Sequence, residues 1–346
     1  MKRLAIITGL LSGFLFGIAT PFSKLLLGGL NSFQLAGLLY LGAGLAMLPF
    51  ILRKDSQIKM LFKSGNKTKT FGIIFFGGFL GPLLLLIGLK AANAASVSIW
   101  LNMELVATAI LGIFIFKDKL DKMTWMGVLL TVVAGVITSF GERMSGITSA
   151  LLITAACFCW GIDNHLTALT DGASPQAVTF VKGMVAGSVN LILGCLIATQ
   201  SMEFGNVAIA LIVGTFSYGL SIVLYVTSAQ NIGATRSQIL FSTAPLWGVV
   251  VSYIFIQETF QWVHLISIVL LALAVIVSNK ISHRHIHSHV AMEHIHYHKY
   301  TDEHHHHTHE SVVPAGKWHS HSHTHEPMVH EHLHYPDLHH RHEHEE

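Results

Sequence analysis

Histidine is crowded into one end of this chain: 23 of its 25 histidines lie between Ile281 and Glu346. They alternate as His283, His285, His287, His289, then as His294, His296, His298, and run together as His304, His305, His306, His307. Neutral imidazole is the commonest protein ligand for divalent transition metals. In an extended chain, residues i and i+2 fall on one side, about 6.6–6.8 Å apart, so two or three rings can close on one ion with modest bending. Glu293, Asp302, Glu303, Glu310, Glu326 and Glu331 add carboxylates. Such donors suit Zn, Ni, Co and Cu(II), and affinity order alone does not select among them. Met47, Met103, Met126 and Met184 are scattered with no Met-x-x-Met ladder, which disfavours Cu(I).

The second group of chemically capable residues is sparse and sits in apolar surroundings. Glu104 lies mid-span in the fourth apolar stretch, at the end of the run "NAASVSIWLNMEL", and Asp163, Asn164 and His165 lie in "CFCWGIDNHLTAL". An ionisable group inside an apolar span is expensive, and usually faces a bundle interior or a water-filled cavity. Glu104 and Asp163 are therefore the candidate proton or cation sites, with His165 as a possible ligand. Asp163 and His165 are two apart and point to different faces of a regular helix. Cys159 and Asp163 are four apart and share a face. Lys24 is expected to snorkel to an interface or to pair with an acid such as Glu104. Lys182 is expected to snorkel, and His264 to be interfacial.

These residues need elements to hold them. Charged residues are 12% of the chain and hydrophobic ones 51%, even with the polar tail included. Apolar runs of about 20 residues, each enough to cross a bilayer, recur through residue 280. Ten spans are read, at 4–27, 32–52, 70–90, 94–116, 122–140, 147–168, 176–199, 206–227, 235–257 and 261–279. The fold class is all-α, polytopic and membrane-embedded. The first apolar run reaches Leu27 through Pro21 and Lys24 without a convincing cleavage site, so it reads as a span and not a signal peptide. Pro82 should bend the third span.

Loop charge sets orientation. With the N-terminus in the cytoplasm, Arg53, Lys54, Lys59, Lys63, Lys67, Lys69, Lys117, Lys119, Lys122, Arg236, Lys280 and Arg284 all fall on the cytoplasmic side. An even span count returns the tail to that side, so both termini are expected in the cytoplasm of a bacterial-type inner membrane. The tail, residues 281–346, has few apolar residues and no sustained period, and is expected to be disordered when metal-free.

The apolar part reads as one five-helix unit written twice, 1–140 and 141–280. "FIFKDKLDKMTWMGVLLTVVAGVITS" (Phe114–Ser139) matches "IFIQETFQWVHLISIVLLALAVIVSN" (Ile254–Asn279) at an offset of 140, which sets Asp118 against Glu258 and Ala134 against Ala274. Ala94–Leu105 likewise matches Ala234–Pro245, and "GFLFGIATP" resembles "CFCWGIDNH". An odd number of spans per repeat inverts the halves, a mark of secondary transporters that bind substrate near the midplane. On these residues the chain resembles the ten-helix EamA-type members of the drug/metabolite transporter superfamily. The family's Glu-Pro pair is split here, Glu104-Leu105 in one copy and Ala244-Pro245 in the other. With its histidine-rich extension, the chain looks like members from nickel and cobalt resistance systems.

The expected function is proton-coupled export of a divalent transition metal, nickel or cobalt before zinc, with the tail as collector. The alternative is export of amino acids or other small metabolites, the tail being regulatory or incidental. A metal store without transport fits the inverted repeat poorly. No Walker A loop points to ATP, and no nucleophile–base arrangement points to an enzyme. No cofactor is required: the metal is cargo or tail ligand. The lipid bilayer is the expected partner, nucleic acid is not, and the sequence leaves the oligomeric state open.

Overall fold

A computed structural model of the chain describes residues 2–52, 58–115, 122–140, 144–170, 173–198, 201–232, 240–259 and 261–278, and, in the tail, 284–289, 292–299, 318–325 and 328–333. Seven helices are long and apolar enough to cross a membrane: Ile6–Leu26, Ser32–Ile51, Lys67–Ala91, Ala94–Phe114, Gly146–Thr167, Pro175–Ile197 and Phe204–Ser228. Three shorter apolar helices, Trp125–Phe140, Ala244–Ile256 and Trp262–Val277, fill the fifth, ninth and tenth places. The expected all-α, multi-pass architecture is what the chain adopts. Asp118 and Arg236 lie outside the described residues, as does the expected start of the ninth span.

Large apolar side chains cover the surface and the interior is polar in places, the reverse of a soluble domain. Phe140, Leu196, Phe204 and Trp262 are largely exposed, while Thr20, Ser96, Ser98, Asp163, Lys182, Asn190 and His264 are buried. Lipid tails are as apolar as leucine, so close packing and polar contacts hold such helices together. Small residues provide the approach. Gly9, Gly13 and Gly17 recur every fourth residue on the first span, and a Cβ on Gly17 would run into the backbone of Ala244 on the ninth. A Cβ on Gly187 of the seventh span would lie 2.8 Å from the backbone of Leu41 on the second.

Two corresponding spans carry wide turns. The third is helical over Lys67–Gly72, π-helical over Ile73–Leu80 and helical again over Gly81–Ala91. The eighth repeats this, with a π-helical stretch over Gly214–Leu220. Pro82 sits just after the π-helical stretch, where the third span returns to regular helix. Single π turns inside α-helices frequently mark functional positions.

In the tail, where disorder is expected, four stretches are extended: β1 (Arg284–His289), β2 (Met292–Lys299), β3 (Trp318–His325) and β4 (Met328–Leu333). β1 pairs with β4 and β2 with β3, both antiparallel. The alternation that spaces histidines two apart is also the period of a strand, so extension follows from the same pattern. A two-stranded ribbon is marginal on its own in water.

Candidate functional site

Between the repeats lies a small pocket of about 20 Å³, room for roughly one water molecule. The first span contributes Phe16, Gly17 and Thr20; the fourth contributes Ser98, Leu101, Asn102, Glu104 and Leu105; the ninth contributes Phe241, Ser242, Ala244 and Pro245. Both halves of the split Glu-Pro pair thus line one space. Glu104 is its acid. Its Oε1 accepts a 2.8 Å hydrogen bond from Asn164 Nδ2 of the sixth span. The remaining walls are aromatic and aliphatic, with hydroxyl and amide oxygens from Thr20, Ser98, Asn102 and Ser242.

Asp163, one residue before Asn164, does not line this pocket. Its Oδ2 lies 2.7 Å from Lys182 Nζ of the seventh span, and both side chains are almost fully buried. Thr167 Oγ1 donates to Oδ1 at 3.4 Å. Gly77, in the π turn of the third span, lies against the carboxylate so closely that a Cβ there would collide with it. The Gly77 carbonyl accepts from Tyr40 OH at 2.5 Å and from Trp160 Nε1 at 3.2 Å. Tyr40 packs on Tyr218, and both Tyr218 and Trp160 pack on Phe16. An aromatic layer therefore runs from the ion pair to the pocket wall.

The sixth span separates its polar run as the helical period requires. Asp163 faces the seventh span, while Asn164 and His165 face the fourth, His165 Nε2 lying 3.1 Å from Thr108 O. Lys24 does not meet Glu104. Its Nζ donates to Leu89 O at 2.7 Å, Lys90 O at 3.2 Å and Ala92 O at 2.8 Å, where the third span ends. Lys182 does not snorkel, because a carboxylate takes its charge inside the bundle. His264 is not interfacial: it is buried between Ser96 Oγ at 2.8 Å and Tyr253 OH at 2.7 Å. Cys159 is buried and Cys195 exposed. Among the described residues, no three side chains of His, Cys, Asp or Glu converge as a metal site would require.

In the tail, His285, His287 and His289 lie on β1, and His294, His296 and His298 on β2. Register sets His285 against His332 and His287 against His330, and His294, His296 and His298 against His323, His321 and His319. His283, His304, His305, His306 and His307 lie outside the described residues.

Of the polar residues singled out in the sequence, Glu104 lines the pocket, Asp163 pairs with Lys182, and His165 and Lys24 contact backbone carbonyls; Tyr40, Gly77 and Phe16 were not singled out, nor was Lys182 as the partner of Asp163. One signal was present: Lys182 is the lone cation in the 23 residues of its helix.

A bundle of apolar helices in two corresponding sets, with a carboxylate-bearing pocket between them, defines a multi-pass membrane transporter. The chain belongs to the EamA-like transporter family, whose profile matches residues 3–140 and again 147–280. Over 267 residues it is 26% identical to an uncharacterized transporter of Methanothermobacter thermautotrophicus, covering 71% of this chain and 77% of that one. It is 27% identical over 271 residues to the uncharacterized transporter YetK of Bacillus subtilis, covering 73% and 79%. A further relative in Bacillus subtilis, the uncharacterized transporter YyaM, is 24% identical over 227 residues, covering 62% and 73%. One solved protein structure shares the fold, with a TM-score of 0.62 at 13% identity over 80% of this chain and 95% of that one.

Proposed function

We propose that the chain exports a divalent transition metal, nickel or cobalt before zinc, in exchange for protons, from a cytoplasm that holds both termini. Glu104 carries the reading. It is an acid on the wall of the pocket between the repeats, and its hydrogen-bond partner is an amide, so a proton or a cation can take the charge in turn. Asp163 is a second cation site only in a state that frees it from Lys182, and His165 is a possible ligand on the other side of the helix, toward the fourth span. Lys24 acts at the end of the path, not in the pocket. The tail gathers ions at the entrance. The backbone register sets histidine opposite histidine at alternate pairs of both ribbons. Selectivity is set by the few polar groups inside the membrane.

One observation favours the second reading, a carrier of amino acids or other small metabolites. The pocket presents oxygen donors and rings but no imidazole or thiol, and nickel or cobalt prefer nitrogen.

Proteoliposomes containing the full chain, a truncation after Lys280 or Glu104→Gln separate these readings. With an imposed pH gradient, Ni, Co and Zn flux is followed alongside exchange of labelled amino acids. Metal flux in the full chain that is lost in Glu104→Gln supports the first reading. No metal flux in any protein, with amino-acid exchange present, replaces it with the second. Equal metal flux in the truncation removes the collector role and leaves export intact.

A further inference from the structure

The turn between the third and fourth spans is held at both of its helix ends. Carbonyls of Leu89, Lys90 and Ala92 take the Lys24 ammonium. Two residues on, the amides of Ala94 and Ala95 donate to Glu258, at 2.7 Å to Oε1 and 3.0 Å to Oε2. A cation at a helix C-terminus and an anion at a helix N-terminus each match the local backbone dipoles. The two clamps differ in origin. Lys24 belongs to the same repeat as the turn. Glu258 follows the ninth span, in the other repeat, so its two charge-assisted bonds tie the halves together at one membrane face.

The approach to Glu258 is shaped for this contact. Gln257 has φ 56°, and it is the single non-glycine with positive φ among the described residues. It ends the π-helical stretch Ser252–Ile256 and turns the chain so that the next side chain meets Ala94. A non-glycine in the left-handed region is sparsely populated, and it persists when its surroundings hold it there. Buried alongside, His264 of the tenth span bridges Ser96 of the fourth and Tyr253 of the ninth, a second tie between the repeats at the same place.

The fourth span carries both ends of the matter. Ala94 and Glu104 lie ten residues apart on it, about 15 Å along a helix. The Glu258 contact lies toward the face where the first span ends, at the head of the span that carries Glu104.

We propose that Glu258 is the gate residue of that face: latched on the Ala94 and Ala95 amides it shuts the pocket, and its release opens it. Glu258 is only partly buried, so water can take over at its carboxylate during release, whereas Ala94 and Ala95 are buried and their amides reach water only as the contact opens. Asp163–Lys182, almost fully buried, offers water far less access. By sequence, Asp118 and Ala234 occupy the matching positions of the other repeat, outside the described residues.

The test uses the full chain with Cys157, Cys159 and Cys195 replaced and one cysteine placed in the pocket, Ser98→Cys. Protein is reconstituted in sealed vesicles of sorted orientation and exposed to a membrane-impermeant cationic thiol reagent from one face at a time. Labelling from the Glu258 face is expected to be slow, and at least tenfold faster in Glu258→Ala, with the rate from the opposite face unchanged. Should the alanine variant aggregate on size exclusion, Glu258→Gln carries the same criterion, since it keeps the shape and loses the charge. An unchanged rate in a monodisperse variant overturns the gate. So does a rise of equal size from both faces, which marks general loosening. Labelling needs no cargo, so the result stands apart from whether the carrier moves metal.

Discussion

Glu104 and Asp163 are both acids inside membrane spans, and the sixth span touches both, holding Asp163 itself and reaching Glu104 through Asn164. Their surroundings divide their roles. Asp163 is enclosed, with an ammonium at 2.7 Å and a glycine pressed against its carboxylate. Glu104 opens on the pocket between the repeats with an amide for a partner. A neutralised, enclosed pair fixes the arrangement of the third, sixth and seventh spans. A carboxylate bonded by an amide at a pocket wall is free to exchange its counter-ion. An acid in a span is thus a pointer to function only after its partner is known.

The largest effect is expected where that pairing is broken. Lys182→Met leaves the Asp163 carboxylate buried without its cation, which in soluble proteins costs about 3–5 kcal/mol. Thermal or denaturant unfolding of the purified protein in detergent should show a loss of that order. Adding Asp163→Asn removes the stranded charge and should return most of it. Additive losses in the double variant would mean that the two residues do not work as a pair.

Next comes the wall behind Asp163. Gly77→Ala places a methyl where the carboxylate lies, and overpacking of this kind costs about 1–3 kcal/mol. Gly205, at the start of the eighth span, has nothing within 4 Å of the equivalent position, so Gly205→Ala should stay within about 0.5 kcal/mol. Equal effects at the two glycines would remove the claim that Gly77 is shaped to the acid.

What the sequence made legible follows from the range of each interaction. Spans are written in contiguous apolar runs, so the count of helices and the doubling of the unit could be read from one dimension. Glu104 stood out because one acid in an apolar run is visible without a partner. The Asp163–Lys182 bond was not legible: the two lie in different spans, and taken alone Asp163 reads as a path residue and Lys182 as a snorkelling one. His264 looked interfacial from its place at a span start, and only packing against Ser96 and Tyr253 buries it. The π turns at Ile73–Leu80 and Gly214–Leu220 leave no mark in composition, because the same glycine and phenylalanine residues serve regular helices elsewhere. Glu258 was seen as one half of a repeat match, but its two amide partners are 163 and 164 residues away along the chain.

The smallest effect on stability is expected at Glu104, and it is the sharpest test of the comparison. In Glu104→Gln the side-chain oxygen still accepts from Asn164 Nδ2, and the new amide donors face a pocket that water can enter. No buried cation is stranded. Stability should therefore change by less than about 1 kcal/mol, the net worth of an ordinary hydrogen bond, or a few degrees in melting temperature. Flux driven by a pH gradient should nevertheless vanish, because glutamine cannot exchange a proton for a cation. Measuring melting and Ni flux on the same preparation separates the two quantities. A structural carboxylate would lose stability on the scale of Lys182→Met, and an idle one would lose neither. Loss of flux at nearly constant stability is the outcome that assigns exchange to Glu104 and architecture to Asp163.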